Sequence, residues 1–411
     1  MSDDLLDVLI VGGGPAGACV GALLARGSMR DAKPLRVAIL EPMPPRPVNA
    51  AAPIEPRVVA ISRASERIIS AAGAWNRLAR TRLCAYERMC VWHESVGPRE
   101  PGALVFDAAE AGEPNLGYIV ESRQLQTALL DAFVDSAGRI EPAQLLTLAI
   151  GADCVRVETS AGTFSARLVI GADGAHSAVR QAIGLTAESS DYRQTAIVAN
   201  VATQRPHEST AWQRFMRDGT LAFLPLADGT SSIVWSADDT VAEVLLAASP
   251  EEFAVELNRA SDLALGTTRL VSDRASFPLR RLAAHRYVAQ RCALIGDAAH
   301  VVHPLAGQGV NLGLLDAAAL AQTIFDARSE KEDVGAIRVL RKYERWRKSE
   351  VAFIGTAIDA FDRFLAHGSG PASRLAQQGL AWVNRSQELK RFFIRRALGV
   401  SGELPRVAAS A

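Results

Sequence analysis

The stretch from Val8 to Glu41 constrains this chain more than any other, because it spells a strand, a glycine turn, a helix and a second strand in unbroken order. Val8-Leu9-Ile10-Val11 is the short all-apolar run that a strand buried on both faces requires. Gly12-Gly13-Gly14-Pro15-Ala16-Gly17 follows at once, and Pro15 suits a first helical turn, where an amide hydrogen would lack a partner anyway. Ala16, Cys19, Val20, Leu23 and Leu24 then recur at helical spacing, and a second apolar run, Val37-Ala38-Ile39-Leu40, ends in Glu41. Gly12, Gly14 and Gly17 fall on the Gly-x-Gly-x-x-Gly spacing. The first glycine permits the turn, the second lets backbone approach a pyrophosphate, and the third lets the helix lie close to the strand. Amides at the helix start then face the phosphates, and Glu41 can accept hydrogen bonds from a ribose hydroxyl pair. The unit predicts a bound dinucleotide without choosing between FAD and NAD.

Bulk properties narrow the classes. A chain of 411 residues allows two or three domains and a large core. Its 45 basic and 45 acidic residues cancel, so no global field favours nucleic acid. Five cysteines, Cys19, Cys84, Cys90, Cys154 and Cys292, are scattered with no Cys-x-x-Cys pair, which points to a reducing compartment and away from a disulfide framework or zinc knuckle. The chain enters the nucleotide unit too early for a signal peptide, and no apolar run is long enough to span a bilayer. The expectation is a soluble, cytoplasmic protein, with peripheral contact to the inner face of the membrane left open.

Beyond Glu41, a proline-rich loop carrying Pro42, Pro44, Pro45, Pro47, Pro53 and Pro56 leads to Arg57, which either reaches the same pyrophosphate or is a solvated charge. Strands around Leu145–Ile150, Cys154–Thr159 and Phe164–Ile170 end in a second glycine turn, Gly171-Ala172-Asp173-Gly174. Ala196–Val201, Ala211–Phe215, Leu221–Leu226 and Ser232–Trp235 then read as successive strands, so this block breaks the strand–helix alternation and predicts an inserted antiparallel sheet. Cys292-Ala293-Leu294-Ile295 runs into a third turn, Gly296-Asp297-Ala298-Ala299-His300. Pro304 to Leu312 follows, then a helix marked by Leu314, Leu315, Ala318, Ala321 and Ile324.

Three glycine-acid turns at strand ends can converge on one long cofactor, because ligands of such sheets gather at the carboxyl ends of strands. That favours FAD. The expected fold is α/β: a Rossmann-like FAD-binding domain (1–75, 107–186 and 275–345), an inserted, mainly antiparallel β-sheet substrate domain (76–106 and 187–274), and a helical C-terminal region (346–411).

The set resembles the single-component flavoprotein aromatic hydroxylases, the para-hydroxybenzoate hydroxylase family, and especially its ubiquinone-biosynthesis branch. The most specific pieces are Gly171-Ala-Asp173-Gly174-Ala-His176-Ser177-Ala-Val-Arg180 and the run from Leu294 to Gly313. Arg57-Val-Val-Ala-Ile-Ser62, Phe106-Asp-Ala-Ala and Leu116-Gly-Tyr-Ile-Val-Glu121 look like the branch that acts on prenylated phenols and benzoquinols. By this resemblance Gly12, Gly14, Pro15, Ala16 and Gly17 hold the pyrophosphate, Glu41 the adenosine ribose, and Arg57 approaches the phosphates. Asp173 belongs to a motif linked to both FAD and nicotinamide contact, Gly296 and Asp297 hold the ribityl chain, and the loop with Pro304, Gly307, Gly309, Val310, Asn311 and Leu312 lines the isoalloxazine ring. Where the family often has Gln, Asn or Arg, this chain has Ser122, and Arg123 is the candidate substitute.

The physics of the last motif is consistent with this placement. Reduced flavin carries negative charge on its pyrimidine edge, and amides at a helix start offer donors and a positive dipole end there. Gly307 and Gly309 let backbone come close to a flat ring, and a side chain at either is expected to collide with it. The implied activity is a monooxygenase cycle in which NADPH or NADH reduces FAD, dioxygen adds, and a flavin hydroperoxide hydroxylates a hydrophobic, polyprenylated aromatic substrate. Phe215, Phe223, Leu224, Pro225 and Trp235 are candidate pocket walls or ordinary sheet core. Asp297, His300 and His303 have a spacing that suggests metal ligands, but no third imidazole or thiolate is near, so the expectation is no metal, with His176, His300 and His303 as turn or packing residues. No catalytic base stands out. Alternatives are a hydroxylase of another small aromatic, a reductase, or a non-catalytic subunit of a quinone-biosynthesis complex; a homo-oligomer is compatible. A flavin halogenase is disfavoured, since no two tryptophans lie two apart. The basic, apolar segment of Arg385, Lys390, Arg391, Arg395 and Arg396 around Leu389, Phe392, Phe393 and Ile394 is a solvated face, an oligomer contact or a membrane-surface helix.

Overall fold

The protein is described here by a computed structural model, in which residues 5–27, 34–49, 51–303, 308–361, 398–399 and 402–409 are described. Its framework is a mixed sheet in the order Val288–Ala289, Cys292–Leu294, Gly162–Gly171, Leu6–Val11, Val37–Leu40, Arg139–Glu141. The strands from Cys292–Leu294 to Arg139–Glu141 run parallel, and the register aligns their carboxyl ends: Gly171 pairs with both Val11 and Leu294, and Val11 with Leu40. Chain order reverses between Leu6–Val11 and Gly162–Gly171. That is a topological switch point, where a crevice opens beyond the strand ends.

The helix Pro15–Arg26 returns across this sheet. Pro15 opens it, Gly27 closes it at φ +64°, and Gly17 to Ala25 are all buried. Such complete burial follows from covering it on two sides, by the helices Ser122–Asp135 and Gln308–Ser329. One cluster joins Leu9, Ile10, Val20, Leu24, Ile39, Phe133, Ile170, Leu294 and Leu320 into a single core.

A second sheet has nine strands: His300–Val301, Ala275–Ala284, Ala187–Thr203, Ser231–Asp238, Gly219–Pro225, Thr210–Met216, Arg88–His93 and Leu104–Asp107 in line, with Thr268–Leu270 beside Ala187–Thr203. All its pairings are antiparallel except Thr210–Met216 on Arg88–His93. The strand expected at Ala196–Val201 is longer, Ala187–Thr203, and carries an irregularity between Asp191 and Thr195. Two helices, Asp239–Ala247 and Pro250–Ala260, cover one face of this sheet. They were absent from the sequence reading, although Ser249-Pro250-Glu251-Glu252 forms a full capping box, a local signal for the second of them. A small sheet of Val58–Ser62, Gly117–Glu121 and Cys84–Tyr86 packs between the other two through Ile54, Ala60, Ile119, Leu224 and Leu226.

The third glycine turn is the seam. Within a few residues the chain leaves the parallel sheet at Leu294 and joins the edge of the nine-stranded sheet at His300, which pairs with Ala283.

Candidate cofactor site at the switch point

The three glycine turns meet in space. Gly12 has φ +102°, and a Cβ there would fall 2.3 Å from the Ala172 carbonyl oxygen and 2.9 Å from Asp173 Cα, so the first and second turns touch backbone to backbone. Ala16 links the first to the third: a Cβ on Gly296, or on Gly313 of the following helix, would lie 3.2 Å from its methyl. Arg180 ties the second to the third. Its buried guanidinium donates to the carbonyls of Ala175 (2.7 Å) and Ala298 (2.8 Å).

Around this junction the backbone is open where a ligand would come. Among the described residues, a Cβ on Gly14, the residue before the first helix, meets nothing within 4 Å, and no side chain caps that helix. Unpartnered amides at a helix start attract phosphate. Gly309 lies in the first turn of Gln308–Ser329 and is equally open among the described residues. Glu41 stands beside the first turn, its Oε2 accepting from the Gly13 amide (2.8 Å) and its Oε1 from that of Met43 (3.0 Å).

Asp297 is exposed, yet sits in a recess: surrounding protein pushes its carboxyl above the usual value, while His300 and Arg57 pull it back. A raised carboxylate pKa disfavours ionisation in the fold, so at this group the cofactor-free protein is expected to lose some stability as pH rises through the carboxylate range. Asp297→Asn should remove that loss. We expect cofactor-free Asp297→Asn to show a flatter stability–pH curve than wild type in chemical denaturation, together with weakened flavin retention; an unchanged curve with full yellow occupancy would contradict both parts.

Other expected contacts have visible partners within the protein. The Asp173 carboxylate accepts from Ser177 Oγ (2.5 Å) and the Val179 amide (3.0 Å), capping the short helix Ala178–Ala182. Asn311 is buried and bridges to the Val58–Ser62 strand, accepting from the Ser62 amide (2.9 Å) and donating to the Ala60 carbonyl (2.8 Å). Its side chain ties the start of the helix Gln308–Ser329 to that strand, and Leu312 is core; Val310 is half-buried. Arg57 is exposed, with its carbonyl accepting from the Ser122 amide (3.0 Å). Arg123 forms an ion pair with Glu55. Pro304, Gly307 and the basic segment 385–396 lie outside the described residues.

The segment leading into Arg57 is held by contacts that sequence reasoning missed. Arg82 and Glu121 form a buried bidentate pair, both contacts 2.7 Å. Arg82 also donates to the carbonyls of Ala52 and Pro53, while Glu121 accepts from the Glu55 amide. From the nine-stranded sheet, Asn200 donates to the Ile54 carbonyl (2.6 Å) and Ser232 to that of Pro56 (3.1 Å). Pro42, Pro44 and Pro47 are exposed, as a surface connection requires, whereas backbone groups from Ala52 to Pro56 are held by side chains of Arg82, Glu121, Asn200 and Ser232.

Of the proposed walls, Phe223 and Trp235 belong to the helix-covered core with Phe253, whose ring is 5.8 Å from that of Trp235. Pro225 lies on the same strand two residues from Phe223, hence on the same face. Leu224 packs toward Ile54 on the opposite face, and Phe215, opposite His93 and Thr220, alternates to that face as well. There Val91, Gln213, Ala222, Val234 and Val198 stand side by side across five strands. Four of the five are small or aliphatic, and the fifth, Gln213, sets a buried amide in the middle of the row.

Among the described residues no group of three His, Cys, Asp or Glu is placed to hold a metal. His300 contacts the buried Asp316 (2.5 Å), and His303 packs its ring 4.8 Å from that of Tyr192. No helix of the described residues is long and apolar enough to cross a membrane.

Residues 144–352 match the family described as "FAD binding domain". Nearly the whole chain is similar to the ubiquinone hydroxylase UbiL of Rhodospirillum rubrum, 36% identical over 97% of this chain and 90% of that protein. It is likewise similar to the 3-demethoxyubiquinol 3-hydroxylase of Escherichia coli, 34% identical over 97% of this chain and all (100%) of that one. The human mitochondrial ubiquinone biosynthesis monooxygenase COQ6 is 31% identical over 95% of this chain and 92% of its own length. Among solved structures, the p-nitrophenol 4-monooxygenase PnpA of Pseudomonas putida superposes with a TM-score of 0.74 at 20% identity, over 96% of this chain and 98% of that one. The anhydrotetracycline hydroxylase OxyS of Streptomyces rimosus gives 0.71 at 18% identity, over 97% and 77%. At such identity these two speak for the fold.

Proposed function

We propose, since this chain belongs to the FAD-dependent ubiquinone-biosynthesis hydroxylases, that it hydroxylates the aromatic ring of a polyprenylated phenol or benzoquinol with dioxygen and NADPH or NADH. The observation that carries the reading is the meeting of three glycine turns at one switch point, with open backbone at Gly14 and Gly309. The residues present fit FAD: a helix start free of capping side chains for the pyrophosphate, a fixed carboxylate at Glu41, a recessed one at Asp297, and a second helix start at Gln308–Ser329. FAD, when bound, supplies hydride acceptance and the activation of dioxygen.

What the chain contributes is binding, orientation and exclusion of water. Glu41 would accept from the adenosine ribose, and Asp297 from the ribityl hydroxyls. Amides of the first turn of Gln308–Ser329 would offer donors and a positive dipole end to the negative charge of a reduced ring. Val91, Ala222, Val234 and Val198 would offer a substrate ring aliphatic surface, with the Gln213 amide among them as a polar contact.

Labelled dioxygen is the test. With the FAD-loaded enzyme, NADPH and a short-chain prenylphenol, we expect mass spectrometry to find one labelled oxygen in the product. Nicotinamide oxidation without label in the organic product would make the protein a reductase, and no reaction with intact flavin would favour a non-catalytic subunit.

A further inference from the structure

We infer that Asp316 is a positioning residue for the flavin site, setting the third glycine turn through the Gly296 amide while Arg347, from a separate helix, holds Asp316 in place. The inference rests on the FAD reading above.

Asp316 is the one acid in the apolar stretch Leu312–Phe325 of the helix Gln308–Ser329, and it is fully buried. Its Oδ2 accepts from the Gly296 amide at 3.0 Å and contacts His300 Nε2 at 2.5 Å. Its Oδ1 accepts from Arg347 Nε at 2.7 Å, and Arg347 is itself 2% exposed. Burial alone would push this carboxyl up; the His300 and Arg347 charges and hydrogen bonds outweigh burial and hold it below the ordinary range. A buried pair of this kind is weak evidence for a stabilising role, because desolvation offsets the attraction. Its geometry is more informative than its energy.

Gly296 has φ +57°, and its amide is fixed by Asp316 on one side while its α-carbon rests against Ala16 on the other. Asp297 follows directly. The helix Ile337–Phe361 also holds the strand entering the turn, since Tyr343, one helical turn before Arg347, donates its hydroxyl hydrogen to the Leu294 carbonyl (2.8 Å). Two backbone groups on the approach to Asp297, the Leu294 carbonyl and the Gly296 amide, are therefore set from that one helix, the second by way of Asp316. Both lie within three residues of the carboxylate that would meet the ribityl chain.

The test compares Asp316→Asn and Arg347→Met with Leu320→Ala, a control that removes a fully buried side chain from the same helix without touching the turn. Each full-length protein is stripped of flavin and titrated with FAD, following flavin fluorescence and visible circular dichroism, with stability measured by denaturant. We expect both charge variants to raise the FAD Kd about tenfold or more and to alter the dichroism of the bound flavin. Leu320→Ala, at equal or greater loss of stability, should keep Kd within about twofold and the wild-type spectrum. Wild-type Kd and spectrum in Asp316→Asn would overturn the inference, as would an equal shift in the control. Should Arg347→Met fail to fold, Asp316→Asn alone decides. Failure of the wild-type protein to bind FAD would instead overturn the functional reading itself.

Discussion

Replacing Gly17 by alanine is expected to give a protein that holds no FAD and unfolds at lower denaturant. Two effects of opposite sign compete. Alanine is the better helix former by about 1 kcal/mol, and Gly17 lies inside the helix Pro15–Arg26. Against this, its methyl would fall 2.0 Å from the Gly12 carbonyl oxygen and 3.0 Å from the Ala172 methyl. Gly12 cannot yield, because its amide donates to the Leu40 carbonyl (2.9 Å) and its own α-carbon abuts Ala172 and Asp173. Overpacking of a tight contact costs roughly 1–3 kcal/mol or more, so the clash should outweigh propensity. Denaturant midpoint and visible flavin absorbance measure the outcome; a variant as stable and as yellow as wild type would show that the helix need not approach the strand so closely.

Gly309→Val should also lose flavin, and for the contrary reason. A Cβ there meets no described protein atom within 4 Å, and Gly309 already lies in helix. The cofactor-free variant should match wild-type stability to within about 0.5 kcal/mol, since surface substitutions away from packed features rarely do more. Only a ligand lying against that backbone would feel the branched side chain. Flavin-to-protein ratio after reconstitution, read beside the denaturation midpoint, separates the cases. Full reconstitution would place the ring elsewhere, whereas a large drop in midpoint would mean that the position is crowded by protein. The pair is informative together, because one glycine is required by the fold and the other is open for a ligand.

The two substitutions also show which parts of the architecture were readable in advance. The unit Val8–Glu41 was legible because each of its steps is local: an apolar run, a turn needing positive φ at Gly12, a proline at the helix start, a second run. The central strands of the nine-stranded sheet were legible from their alternation and turns, but Ala187–Thr203 begins nine residues before its expected start, and Thr268–Leu270, Ala275–Ala284 and His300–Val301 were not read as strands. The two covering helices were not, as Asp239–Ala247 is short and only the capping box at Ser249 announces its neighbour. For the candidate site, the glycines and acids at strand ends were visible as motifs. The partners that orient them were not. Asp316 is 20 residues from Gly296 and Glu121 is 39 from Arg82, separations at which no periodicity links two residues. Nor could alternation alone say which face of the sheet meets the helices, so Phe223 and Trp235 remained equal candidates with Phe215 and Leu224.

The sequence by itself determined the local backbone: where the strands end, where the turns need glycine, and which acids follow them, because such choices depend on φ, ψ and hydrophobic pattern within a few residues. Only the tertiary structure decided that three separate turns share one crevice. It also decided which side chains hold them there, because a buried carboxylate or guanidinium takes whatever opposite charge the packing of distant elements brings within about 3 Å.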